Sequence, residues 1–535
     1  MTQYTDRIRS FRRSARGLFA GALIGLAGFA GLAALQPGEA SAENRFIFAN
    51  TSAYDTLDPH QTFDVGRVAV RINLYDGLYR WLDNPPKIEP WLAESYSVSD
   101  DGLTWTFKLR QGSKFHDGSE VKAEDVVYSM ERILALKKGA AALFSRMIEP
   151  GNTKAVDDYT VQFTLSKPSA IFLSIIPEIH VVNMDLVKSH EKDGDWGAAW
   201  LTNNDAGSGS FMLENFDPAV GFSATRFEDH FYGWGDKYLD AIEFRGVREV
   251  NTRVLGLLKG DFHGTGGYLP QDQVKRLKEA DNTKVLEEES MRIFMFQINN
   301  QRAPTSDVHV RRAISQAFDY DAFINDILSG SAERNPVPIP NNMWGVPKDV
   351  KGYTFDVDAA KAELAKAEAK IDRPLEVAFL TGFSQTEQAA VLMQSGLRKV
   401  GIESKLVNHP WPVMVDKMAK PETSPDMVVY WISTYYADPN NWIGEMFHSG
   451  QWGTFKSSSF YKNPKVDELL DTALRSTDQA VRAKAYEDAA RIVFDEAAGV
   501  WVYNTKWYGP YAKNLQGIRF SPIGNAQEMR WSYFE

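Results

Sequence analysis

The sequence predicts a layered α/β or α+β protein of about three domains. Three observations carry this: chain length, two strands with strict alternation, and helical patterns interspersed with them. At roughly 150 residues per domain, 535 residues suggest about three domains. Leu103, Trp105, Phe107 and Leu109 alternate with Thr104, Thr106, Lys108 and Arg110, and Val161, Phe163 and Leu165 alternate with Thr160, Gln162 and Thr164. A period of two in aromatic and β-branched residues marks half-buried strands. Strand and helix signals are mixed along the whole chain, which suits layered packing rather than a barrel or a repeat array. No tandem repeat or low-complexity segment follows residue 42.

Taken in order, the chain opens with Arg7, Arg9, Arg12, Arg13 and Arg16, followed by the uncharged stretch Gly17–Leu35, Pro37 and the small residues Ala40-Ser41-Ala42. Residues 1–42 therefore read as a secretory signal peptide. The 19 uncharged residues could just span a bilayer, but their glycines and the small-residue site after Pro37 favour cleavage over an anchor. Arg12-Arg13 hints at twin-arginine export, yet Ser14-Ala15-Arg16 fits that pattern badly, so general secretion is expected. Arg45–Ala49 is a short apolar strand ending in a turn at Asn50-Thr51-Ser52. Ala123–Leu136 reads as a helix with Glu124 and Asp125 at its positive end. Val310, Ala313, Ile314, Ala317 and Phe318 share one helical face. Asn463-Pro464 is an N-cap and first helical position before Val466, Leu469 and Leu470. Residues 334–347 hold four prolines, a stiff surface connection.

Composition removes several function classes. Hydrophobic residues make up 44% and charged residues 24%, an ordinary globular balance. Lys and Arg number 59 against 70 Asp and Glu, a formal charge of −11, and a chain starting at Glu43 would carry −14. Without a basic tract this is a poor nucleic-acid binder. Cysteine is absent, which excludes disulfides, thiolate metal sites, Cys nucleophiles and lipidation on Cys. A soluble, exported product without a lipid anchor is expected in a periplasm.

Motifs for chemistry are sparse. The nine His include no pair at i,i+4 spacing and no HExxH, and His116, in a turn before a helix, reads as structural. Ser189–Lys192 and Ser459–Lys462 match SxxK without the partner motifs of that class, and there is no GxSxG. Ala206–Ser210 has glycines but no following Lys, so it is no phosphate loop. More informative is the apolar strand Val428–Ile432, running into Ser433-Thr434-Tyr435-Tyr436-Ala437-Asp438-Pro439. A loop dense in aromatics and hydroxyls at a strand end suits a polar organic ligand; the alternative is aromatics closing a core edge.

Ordered motifs extend this reading. Thr56-Leu57-Asp58-Pro59-His60, Asn73–Leu78 and Pro90–Tyr96 precede the long block from Ser99 to Arg132; Gly207–Phe211, Asn251-Thr252-Arg253, Leu258–Asp261 and Asp307–Asp319 follow. Together and in order they resemble family 5 extracellular solute-binding proteins, the dipeptide, oligopeptide and nickel type serving ABC importers. The resemblance implies a two-lobed periplasmic-binding-protein-like fold of the large three-domain class II type, hinged between lobes. The first lobe would use 43–83, 206–305 and 505–535, with an inserted subdomain at 84–205. The second lobe would span 306–504. It further implies ligand enclosure between lobes, a monomer docking on ABC permease subunits in the inner membrane, no cofactor, no metal site and no chemistry on the ligand.

In peptide-binding relatives an Asp three residues after the Trp pairs with the ligand's α-ammonium; here that position is Thr434, beside Ser433. An Arg that holds the carboxylate of dipeptides has no counterpart in Thr381-Gly382-Phe383. A buried ammonium without a counter-charge costs several kcal/mol. The departures therefore point away from a free dipeptide and towards a sugar-like, opine-like or modified solute, or a longer peptide held elsewhere. Expected ligand-binding residues are Trp431, Ser433, Thr434, Tyr435, Tyr436 and Asp438, with Tyr54 and Asp55 from the first lobe and Thr381 and Phe383 beside them. An exported hydrolase built on an SxxK site is the enzyme alternative. A chaperone or sensor on the same scaffold, and capture of a chelated metal, are two further readings.

Overall fold

A computed structural model describes residues 44–535 apart from 52, 267–268 and 525–526. The expected signal peptide lies outside the described residues.

One eleven-stranded mixed sheet runs through the molecule. At one end the Arg45–Asn50 strand pairs in parallel with Ala241–Gly246 and Gly264–Thr265, and antiparallel strands Gly221–Arg226 and Phe211–Asp217 complete that end. At the other end Leu375–Leu380 lies parallel to both Ser404–His409 and Met427–Ile432. Two long strands, Thr283–Ile298 and Gly499–Ala512, link the ends by pairing with each other in two stretches separated by a register shift between Glu289 and Ile293.

The chemistry of the 283–298 strand explains the link. Glu287 and Glu289 are exposed at the neck, with Glu288 partly buried between them, while everything from Ser290 onward is buried. Alternation then feeds two cores: Ile293 and Met295 pack with Met343, Tyr430 and Trp501, whereas Phe294, Phe296 and Ile298 pack with Ile314 and Phe318. The apolar side chains of residues 293–298 thus pack into those two cores. On the return strand the register shift falls opposite Asn504 and Lys506, beside the expected 504.

The inserted subdomain is a separate four-stranded sheet, Ala93–Val98, Thr104–Leu109, Thr160–Thr164 and Thr153–Asp157 in spatial order. Its core runs from Leu78 to Val181 and takes in Trp105's neighbours Phe107, Phe163 and Phe172. Val182, Val187 and Leu201 pack instead with Phe46, Phe211 and Phe244. The apolar side chains after 181 therefore join the core around the Arg45–Asn50 strand.

Local signals formed the elements they suggest. The Ala123–Leu136 helix starts where the Asp125 carboxylate accepts the Lys122 backbone N–H at 2.9 Å. Pro464–Arg475 is capped by Asn463, which accepts from the Lys465 N–H at 2.9 Å, and Val308–Ala317 is capped by Asp307. The Gly207–Gly209 turn needs its glycines: a Cβ on Gly207 would meet the Leu74 carbonyl oxygen at 1.8 Å, and one on Gly209 the Asn73 oxygen at 2.4 Å. Beside it His116 bridges Asp205 Oδ2 at 2.6 Å and the Gly209 carbonyl at 2.9 Å, a fastening role. Burial opposes its charge, but Asp205 outweighs this and holds the imidazole above its ordinary range.

Candidate functional site

Two adjoining cavities lie between the lobes. The compact one, about 130 Å³, is walled by Asn50, Thr51 and Gly66 from the first lobe and by Phe383, Trp431 and Ser433 from the second. Arg292 and Trp507 reach it from the two linking strands. The larger chamber, about 880 Å³, lies between the subdomain and the second lobe. Asp64, Trp411 and Phe455 line both.

The strand that ends at Ile432 positions the aromatic loop. Antiparallel pairing sets Trp431 opposite Phe294, with ring centroids 4.9 Å apart, and the indole N–H donates to the Tyr503 hydroxyl at 3.2 Å. Past the strand Asn441 braces the loop: its side-chain amide donates to the Ser433 carbonyl at 3.0 Å, and its oxygen accepts from the Tyr435 N–H at 3.1 Å. Tyr435 then stacks on Phe63 of the first lobe, centroids 4.3 Å apart.

Alternation continues through this loop and divides the expected residues. Trp431, Ser433 and Tyr435 line the compact cavity, as do Tyr430 and Phe383, so the alternation is clear only past Ile432. Thr434 and Tyr436 point the other way. Thr434 forms a bridge to Ile523, and its buried hydroxyl has no hydrogen-bond partner among the described residues. The Tyr436 hydroxyl donates to Glu445 and accepts from Asn440 at 2.8 Å.

Four further expected residues lie outside the compact cavity. Asp438 is buried, caps the short helix at 439–441 and pairs with Arg482 at 2.6 Å. Tyr54 sits in the first-lobe core, edge-on to Phe222 at 5.2 Å, its hydroxyl accepting from Asn50 at 2.8 Å. Thr381 is exposed at a strand end and lines neither cavity. Asp55 lines the large chamber rather than the compact cavity, held by Arg67 at 2.6 Å.

Several lining residues escaped sequence reasoning. Arg292 follows the switch from charged to apolar residues on the 283–298 strand, and that switch is a usable signal for a residue at the neck. Trp411 precedes a proline in a helix start, an unremarkable context. Lys456 sits in a polar loop, buried against Glu445, with its ammonium 3.0 Å from Asn441 Oδ1 and 4.3 Å from the Tyr435 ring centroid. Burial pushes its pKa down, against the pull of Glu445.

The SxxK serines are committed elsewhere: Ser189 donates to the Leu186 carbonyl at 2.7 Å and Ser459 to that of Met446 at 3.3 Å. Among the described residues no group of three His, Cys, Asp or Glu could hold a metal, and no helix is long and apolar enough to cross a membrane.

Two lobes on one continuous sheet, with cavities walled by side chains from both, define a protein that captures a solute between its lobes. The chain belongs to the bacterial extracellular solute-binding proteins of family 5: the profile described as "Bacterial extracellular solute-binding proteins, family 5 Middle" matches residues 87–454. It is 33% identical over 489 residues to the probable D,D-dipeptide-binding periplasmic protein DdpA of Escherichia coli K12, covering 90% of this chain and 92% of that one. Among solved structures it is similar to the periplasmic binding protein DppA of Helicobacter pylori in complex with the peptide STSA, at 25% identity and a TM-score of 0.83, covering 92% of this chain and 98% of that one. It is likewise similar to AgaA in complex with agropinic acid, from A. tumefaciens R10, at 25% identity and a TM-score of 0.80, covering 92% and 99%. No support for a hydrolase emerges from these comparisons.

Proposed function

We propose that this protein is the periplasmic capture subunit of an ABC importer, enclosing a peptide-like or other polar organic solute and handing it unchanged to membrane permease subunits. The compact cavity is the observation that carries this reading, because a ligand there touches both lobes at once. A ligand shifts an open–closed equilibrium only through such differential contacts. Its walls suit the class: Trp431, Trp507 and Phe383 offer contact area, while Ser433, Asn50 and Thr51 offer directional hydrogen bonds. Arg292 borders the same cavity, as does Asp64, which is itself paired with Arg67. In this reading the protein works as a monomer, its lobes meet near 289–293 and 504–506, and its export uses residues 1–42.

The test titrates the chain from Glu43 onward with D-alanyl-D-alanine, Ser-Thr-Ser-Ala and agropinic acid, following tryptophan fluorescence, after native mass spectrometry for co-purified ligand. At least one probe, or one co-purified mass lost on unfolding, is expected to bind. Trp431→Ala should weaken that binding at least tenfold while leaving the melting temperature within a few degrees. A variant that binds like the parent would sink the assignment of the cavity.

A further inference from the structure

The compact cavity holds about 130 Å³, the share of roughly four waters at ~30 Å³ each. A solute that outgrows it can continue past Asp64, Trp411 and Phe455 into the chamber of about 880 Å³. The chemistry of that chamber therefore decides what the rest of the solute is.

Its lining carries seven Lys and Arg against five Asp and Glu. Most of the carboxylates are already matched. Arg67 pairs with Asp55 at 2.6 Å and Asp64 at 2.7 Å, Lys456 with Glu445, and Arg475 with Asp471 at 3.6 Å. Lys137, Lys138, Arg146 and Lys167, all from the subdomain, form no ion pair among the described residues, leaving Asp416 as the one lining acid without a cation. Arg146 stands opposite the second-lobe loop, its guanidinium 3.0 Å from where a Cβ on Gly450 would lie. This cationic surplus runs against a molecule whose formal charge is −11. A cleft with a surplus of one sign raises the local concentration of the opposite charge.

Resting on the capture reading above, we propose that the large chamber is an anion-accepting subsite, so that the solute carries an acidic group beyond its head, received by Lys137, Lys138, Arg146 and Lys167. The neutral or cationic tails of otherwise similar solutes gain nothing there.

Isothermal titration of the chain from Glu43 onward with Ala-Ala-Gln-Gln and Ala-Ala-Glu-Glu tests this at low salt. Both are expected to bind, the acidic peptide about tenfold more tightly, with the ratio shrinking as salt screens the charges. In the double variant Lys138→Gln/Arg146→Gln the ratio should fall to about one. Equal binding of the two peptides to the parent protein overturns the subsite and leaves solute capture standing. Should neither peptide bind, the peptide-like reading fails and citrate decides. Greater thermal stabilisation of the parent than of the double variant by citrate, at matched ionic strength, sustains the anionic chamber, and equal shifts overturn it.

Discussion

Two buried ion pairs in this molecule use similar chemistry to different ends. Asp58 and Arg132 are fully buried, 2.6 Å apart, and tie the main part of the first lobe to the helix of its subdomain. Every charge there is answered: Arg132 also donates to the Trp196 carbonyl at 2.8 Å and to His60 Nδ1 at 3.0 Å, and Asp58 accepts from the His60 backbone N–H and the Gln61 side chain, both at 3.0 Å. Burial alone would raise the Asp58 carboxyl, but Arg132 overrides it and the pKa is lowered. Lys456 and Glu445 are nearly as buried, yet they form a cavity wall facing Phe63 of the opposite lobe. The first pair is sealed inside one lobe. The second has partners that lobe opening would take away, so it belongs to ligand binding as much as to folding.

The largest expected effect breaks the sealed pair. Arg132→Met leaves the Asp58 carboxylate buried without its cation, which costs about 3–5 kcal/mol. Chemical denaturation of parent and variant measures it, and a loss under about 1 kcal/mol would show that water reaches Asp58. The contrast also requires that the folded variant keep the parent's ligand affinity, since neither residue lines a cavity.

What the sequence disclosed follows the range of the interactions. Helix starts at Ala123 and Pro464 were legible because their caps, Asp125 and Asn463, act over three residues or fewer. The strands around Trp105 and Phe163 were legible because each shows its own alternation. The two-lobed plan came from resemblance, not from any local pattern. In the site, Trp431, Ser433 and Tyr435 border the compact cavity while Thr434 and Tyr436 do not, a division that the residue types alone did not show. Asp438 looked available because its partner, Arg482, lies 44 residues away. Arg292 and Lys456 were missed for the same reason: tertiary packing of distant segments, not local pattern, brings them to the cavities.

A pH titration sharpens the comparison through His60, which belongs to the sealed cluster. Burial, then the neighbouring charge of Arg132, push its pKa down to about 3, despite Asp58 and a hydrogen bond from Nε2 to the His180 carbonyl. The unfolded chain protonates this imidazole near 6.5, so between 6.5 and 3 the unfolded state binds more protons. The stability that the neutral imidazole contributes is therefore present above pH 6.5 and lost as pH falls. From pH 7 to pH 5 the loss from this one group is about 2 kcal/mol. His180 and His230, also buried and lowered, add to it with the same sign. His116 and Asp125, both held above their ordinary ranges, act with the opposite sign, so the His60 contribution is read by comparing urea unfolding of parent and His60→Gln at both pH values. The substitution should remove close to one proton from the slope. An unchanged slope would mean that His60 titrates alike in both states.

The smallest effect on folding is expected at the cavity wall. Lys456→Met removes a charged hydrogen bond to Glu445, a loss of about 1.5 kcal/mol, and Glu445 keeps the hydroxyl of Tyr436. Affinity for whichever probe binds should nevertheless fall by about threefold to tenfold. The ammonium packs on Tyr435 of its own lobe and within 5.8 Å of the Phe63 ring centroid on the other, so the substitution weakens the closed arrangement selectively. Titration calorimetry and denaturation on the same variant separate the two quantities. Arg132→Met should change stability and spare affinity, while Lys456→Met should do more to affinity than its cost in stability suggests. If Lys456→Met lowers stability as Arg132→Met does and leaves affinity intact, the wall pair is as sealed as the other and the distinction between them is lost.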